Sequence, residues 1–110
     1  MEKRRVVITG MGTINPLGHN LKDTWEAVKQ GTCGIAPITL FDTSERKVSL
    51  AGEVKDFNPE EYLDKRETRK MDRFTQFALV AAKEAFADAA FDHEKVDRNR
   101  FGVIVSSGIG

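Results

Sequence analysis

Apolar residues fall along this chain with three different spacings, and each spacing predicts a different element. Val6, Val7 and Ile8 are consecutive and β-branched, and Gly10 and Gly12 punctuate their end. A run without alternation predicts a strand covered on both faces, as in a parallel sheet. A breaker-rich loop follows through Pro16 and Gly18. Leu21, Trp25 and Val28 then recur at helical spacing. Asn20 stands before them as an N-cap, Asp23 follows it in a capping-box arrangement, and Gly31 closes the helix as a C′ residue. From 32 to 64 the periodicity weakens. Pro37, the stretch 41–44 and Asn58-Pro59 mark turns; alternation predicts a short strand near 48–54 and a brief helical turn over 60–63.

The longest periodic segment starts near Glu67 or Thr68 and runs to about Ala90. Met71, Phe74, Ala78, Ala82, Ala85 and Ala89 form one stripe, which Phe77, Ala81 and Phe86 widen. Seven of the thirteen residues from 78 to 90 are alanine, which favours a helix. Side chains that small let another backbone approach closely, so a buried helix is predicted. A polar stretch, 92–100, leads to a last apolar and β-branched run over 101–105, predicted as a strand, which ends in Ser106-Ser107-Gly108-Ile109-Gly110. Strands alternating with helices give an α/β class.

Composition narrows the function classes. The 110 residues carry 17 basic and 17 acidic side chains, so bulk charge gives no footprint for nucleic acid. One cysteine makes no disulfide framework and sets a reducing, cytoplasmic location as the expectation. No apolar run approaches the ~20 residues of a membrane helix, and the run behind the basic N-terminus is too short for a secretory signal. Neither a membrane nor a nucleic-acid partner is expected. The length suits one small domain, with a thin margin for a core.

Four features are candidates for chemistry. Gly10 and Gly12 after a strand suggest a dinucleotide loop, but Asn15 stands where a third glycine would open the helix, so a tight turn accounts for the pair better. Cys33 lies just past a predicted helix end and not at a helix N-terminus, so it reads as a small buried or partly exposed side chain; His19 and His93 have no partners at ligand spacing, so no metal site is expected and they read as solvated loop residues. The segment 65–73 has five bases and two acids, a local +3 on a neutral chain. Arg66, Arg69, Lys70 and Arg73 are spaced to share one helix face, either as a docking patch for an acidic partner or as a solvated first turn. The 106–110 segment is either a strand-end turn beside a ligand, with Ile109 as an apolar wall, or a plain glycine turn.

Several of these residues carry a family resemblance. The opening Arg4-Arg5-Val6-Val7-Ile8-Thr9-Gly10-Met11-Gly12 with Pro16-Leu17-Gly18, then Thr24-Trp25 with Gly31 and Gly34-Ile35, resembles the β-ketoacyl-[acyl-carrier-protein] synthases. Arg69-Lys70-Met71-Asp72-Arg73-Phe74 and Ser107-Gly108-Ile109-Gly110 continue the match in order and spacing to the last residue. It is most similar to the bacterial type II elongating enzymes of fatty-acid synthesis.

The resemblance implies a thiolase-like layered α/β fold, with a mixed sheet and the alanine-rich helix buried in its core, and a homodimer. It implies decarboxylative Claisen condensation of an acyl-enzyme with malonyl-carrier protein, without a cofactor. By position, Arg66, Arg69 and Lys70 match a docking site for the acidic acyl carrier protein. Ile109, with Gly108, matches the Gly-Ile-Gly turn that gates the acyl pocket near the dimer partner. The family's nucleophilic cysteine, two histidines and oxyanion hole lie downstream of residue 110, so no catalytic residue is expected here. Cys33, His19 and His93 correspond to none of them. Residues 1–110 are accordingly expected to be the incomplete N-terminal part of such a domain, inactive alone. A non-catalytic chain-length factor and a nucleotide-binding α/β domain are the alternatives.

Overall fold

A computed structural model describes all residues, 1–110. Its elements are helix α1 (Leu21–Lys29), strands β1 (Ala36–Pro37) and β2 (Leu50–Ala51), helix α2 (Lys65–Thr68) and helix α3 (Arg73–Asp88), with 3-10 turns at Pro59–Glu61 and His93–Lys95.

Helix α1 forms where its caps predict. Asn20 is extended and its side-chain oxygen accepts from Asp23 N at 2.8 Å. The capping box is altered: Asn20 donates through Nδ2 to the Asp23 carboxylate. At the other end Gly31 has φ +69°, and Gly31 N and Thr32 N donate to Val28 O and Ala27 O, closing a Schellman motif. The turn after Asn58-Pro59 forms likewise, with Asn58 accepting from Glu60 N.

Helix α3 ends in a second Schellman motif. Ala90 N and Phe91 N donate to Ala87 O and Phe86 O, and Phe91 stacks on Phe86 at 4.7 Å. Here the left-handed residue is Ala90, with φ +49°.

The sheet differs from expectation. The only ladder is the antiparallel pair β1–β2, with Ala36 opposite Ala51 and Pro37 opposite Leu50. The strand expected near 48–54 is therefore two residues long. The strands expected at 6–8 and 101–105 form no ladder, and the mixed sheet is not assembled by these residues. Their backbone groups find no neighbouring strand, and Val6 and Ile104 are 93% and 96% exposed. Their courses are nonetheless those of a strand–helix–strand unit. Gly10 lies against Ala85 and Ala89, and Gly12 against Ala81 and Ala85. Phe101 meets Phe91 just past the end of α3, and Gly110 reaches Phe74 near its start. Both segments thus run opposite to α3 and in the same direction as each other.

The two glycines are there for close approach and not for a turn, since neither has positive φ. A Cβ on Gly12 would stand 2.0 Å from Ala81 O. The alanine face thus does what its small side chains predict: it admits a backbone. The helix is less buried than expected, with Val80 its one buried residue. The core is small: Phe57, Leu63 and Val80, with Ile14, Val54, Met71 and Phe77 packed around them. The radius of gyration is 17.3 Å, against about 13 Å for a compact chain of this length. Much apolar surface on the outer segments is consequently open.

Side chains of α3 also fasten the N-terminal loop. The Glu84 carboxylate accepts from Thr13 N at 3.0 Å and from Leu21 N at 2.7 Å, and Asp88 accepts from Met11 N at 2.9 Å. Leu21 N is an orphan donor at the start of α1, so Glu84 caps that helix from outside with a favourable charge.

Candidate carrier-protein docking surface and pocket turn

The basic run is not on one continuous helix. The helix expected from Glu67 or Thr68 begins only at Arg73, and α2 before it is a separate turn, because Asp72 is extended (φ −66°, ψ 158°) and serves as the N-cap residue of α3. The break separates Arg73 from the other bases. Its guanidinium donates to Val54 O at 2.9 Å and lies over the rings of Phe77 and Phe57, 4.9 and 5.8 Å from their centroids. Arg73 is therefore a bridge between α3 and the 54–57 segment, not a fourth member of an open patch.

Arg66, Arg69 and Lys70 remain together. Arg66 is in α2, Arg69 is its C-cap in helical conformation, and Lys70 follows in the turn. At 3.6 residues per turn they span about 100° of the helix surface, with Thr68 roughly 150° from their centre. Thr68 is 5% exposed, whereas the three bases are exposed, so this turn buries one side and shows its cationic side to solvent. Asp64 caps α2 by accepting from Arg66 N at 2.8 Å. Lys70 lies 3.7 Å from Glu67, and Lys65 lies 3.3 Å from Glu60. Arg66 and Arg69 form no ion pair, so their guanidinium forks are free to meet an external carboxylate or phosphate.

The underside of this turn is held by a residue that no sequence motif marks. Gln76, one turn into α3, donates through Nε2 to Thr68 O at 3.1 Å and lies 3.5 Å from Met71 O. Thr68 Oγ1 donates back to Lys65 O at 2.9 Å. Gln76 is polar and off the alanine stripe, and its role follows from a helix break that the sequence pattern does not show.

At the C-terminal turn, Ser107 Oγ donates to Ile109 O at 2.9 Å, Ile109 is 95% exposed, and Gly108 has open space around it. The 106–110 turn lies beside the start of α3, since Gly110 is close to Phe74 and Asp72. The three bases and the 106–110 turn thus both lie beside the α2–α3 break.

The remaining candidates resolve simply. Helix backbone fills the space beside Gly10 and Gly12, which leaves no phosphate cradle. Cys33 is exposed, with its Sγ 3.6 Å from Ile35 O and no histidine beside it. His19 is not a solvated loop residue: it is half-buried, donates through Nε2 to Lys55 O at 2.7 Å and meets Phe57 edge-on. His93 opens the 3-10 turn His93–Lys95. No helix is long and apolar enough to cross a membrane.

The family model for the N-terminal domain of β-ketoacyl synthases matches residues 3–110. The chain belongs to the β-ketoacyl synthase family. It is 51% identical over 99% of its length to a 3-oxoacyl-[acyl-carrier-protein] synthase 2 of Staphylococcus aureus (strain COL). Over its whole length it is 43% identical to the enzyme of the same name from a Synechocystis strain. It spans about a quarter of either relative, 26%. Among solved structures it is similar to the ishigamide ketosynthase/chain length factor, with a TM-score of 0.74 and 34% identity over 86% of this chain and 24% of that one. It is also similar to a chain of AntDE:AntF, described as a type II PKS acyl-carrier protein in complex with its ketosynthase bound to the hexaketide, with a TM-score of 0.65 and 28% identity over 89% and 24%. The thiolase-like ketosynthase fold is therefore that of this chain, with its sheet segments in place but not paired within these residues.

Proposed function

We propose that these residues are the N-terminal part of a 3-oxoacyl-[acyl-carrier-protein] synthase that elongates fatty acids. The observation that carries this is the 51% identity across 99% of the chain. In the proposed reaction an acyl group sits as a thioester on a cysteine outside these residues. Malonyl-carrier protein loses CO2, and the resulting enolate carbon attacks the acyl carbonyl. The new C–C bond forms, the C–S bond to the enzyme breaks, the cysteine leaves as thiolate, and 3-oxoacyl-carrier protein is the product. No electrons are exchanged with a redox partner, so no cofactor is required. Nucleophile, base and oxyanion hole are assigned to the rest of the protein; that Cys33 Sγ and His19 Nε2 each bond a backbone carbonyl, Ile35 O and Lys55 O, and not each other supports that division.

Within that enzyme Arg66, Arg69 and Lys70 dock the acidic carrier protein, and Gly108 and Ile109 form one wall of the acyl pocket, completed in a cytoplasmic homodimer. The exposure of all three bases, and the lack of internal ion pairs at both arginines, supports the docking role. The test is charge reversal in the full-length protein. Arg69→Glu with Lys70→Glu should weaken carrier-protein binding by about tenfold or more at low salt. The difference should shrink as salt screens the pair. Unchanged affinity in the double variant would overturn the docking assignment.

A further inference from the structure

We infer that Gln76 is a positioning residue for carrier-protein docking; the inference rests on the docking role proposed for Arg66, Arg69 and Lys70. Helix α2 has four residues, far below the length at which a helix holds its own shape in water. Its geometry must be imposed from outside. The N-terminal end is held by Asp64. At the C-terminal end, the carbonyls of Thr68 and Met71 point back toward α3, where the Gln76 amide donates to Thr68 O at 3.1 Å. Gln76 also lies 3.5 Å from Met71 O. Its own backbone N donates to Asp72 O, so its side chain springs from the first rigid turn of the longest helix. Thr68 is buried, which leaves the Gln76 amide as its carbonyl's side-chain partner, beside the 3.3 Å bond from Met71 N.

The three bases sit directly on this clamped turn. Arg66 and Arg69 lie on the side of the turn away from Thr68, and Lys70 is the next residue. Releasing the Thr68 carbonyl lets the 69–72 linker reorient, and the bases then no longer present a fixed triangle to a carrier surface. Recognition by several charges at once is sensitive to such loss of preorganisation. Chemistry that does not use the carrier surface has no reason to be.

The experiment uses the full-length protein with Gln76→Met, which keeps the length and removes the donor, and with Gln76→Glu, which replaces the donor by an acceptor facing a carbonyl. Condensation is measured with malonyl-carrier protein and, separately, with malonyl-coenzyme A. The expected result is a KM for the carrier substrate raised by about three- to tenfold, with kcat and the coenzyme A rate unchanged. A conservative check is carrier-protein affinity by titration, which should fall by the same factor in both variants. Equal losses with both substrates, or no loss with either, would overturn the inference. If one variant is poorly folded by its melting curve, the other decides. The Arg69→Glu, Lys70→Glu double variant runs in parallel. If it weakens docking while the Gln76 variants do not, only the positioning role fails; if it leaves docking intact, the docking assignment itself fails.

Discussion

Gly12 is the position where a single methyl group should do most damage. A Cβ there would lie 2.0 Å from Ala81 O, 2.7 Å from Ala85 N and 2.9 Å from Glu84 Cβ. Two of these are helix backbone atoms, which no rotamer change moves aside. The strand-like segment must retreat from α3 by more than an ångström. Such overpacking costs about 1–3 kcal/mol. Retreat also stretches the bond from Thr13 N to the Glu84 carboxylate, 3.0 Å in the intact contact, and a bond to a charged group contributes about 1.5–3 kcal/mol. Gly12→Ala should therefore destabilise the full-length protein by roughly 2.5–6 kcal/mol, the sum of these two effects. The natural comparison is Gly31→Ala. Gly31 has φ +69°, and a methyl group there would meet nothing within 4 Å, so the substitution adds backbone strain without a clash. That variant should lose only about 1–2 kcal/mol. Urea unfolding of both variants measures the difference. Equal losses, or a Gly12→Ala protein as stable as the parent, would refute the close-approach account of the N-terminal glycines.

Other outcomes are expected from the same structure. Ala90→Gly should stabilise by about 1 kcal/mol in thermal unfolding, because Ala90 holds the left-handed C′ position of α3 at φ +49°; a destabilised variant would contradict that conformation. Glu84→Gln should cost about 1–2 kcal/mol, since one amide oxygen replaces two carboxylate oxygens that accept from Thr13 N and Leu21 N; an unchanged urea midpoint would show the clamp contributes nothing. The Glu53 carboxyl titrates below its ordinary value, chiefly because the Thr39 hydroxyl donates to it, with Thr39 N and Leu40 N assisting. Its contribution to holding the 39–40 segment is complete above the ordinary carboxylate range and is lost as pH falls through the lowered value. In Thr39→Val, NMR titration should find the Glu53 value moved upward; no movement would reject the hydroxyl as the cause. The 110 residues alone should form no 3-oxoacyl product from acyl and malonyl thioesters, and product above background would show that they contain a nucleophile.

Features settled within a few residues of chain are legible in the sequence. Asn20 and Gly31 bracket α1, and Asn58-Pro59 starts a helical turn, because caps and turns are satisfied by close neighbours along the chain. The family is legible too, since its motifs run in register from Arg4 to the last residue, and so is the cationic character of Arg66, Arg69 and Lys70. The break between α2 and α3 is not, because the apolar stripe keeps its period across residues 69–72; Asp72, a good N-cap residue type, is the available signal. Tertiary contacts alone make Arg73 stack on Phe77 and Phe57 while its three basic neighbours lie over no ring. They also put Gly10 and Gly12 to use in helix contact instead of a turn, since nothing local distinguishes a glycine needed for φ from one needed for space. The same holds for 6–8 and 101–105, which carry strand character without a ladder. A helix satisfies its own backbone, but a strand is completed only by another strand beside it.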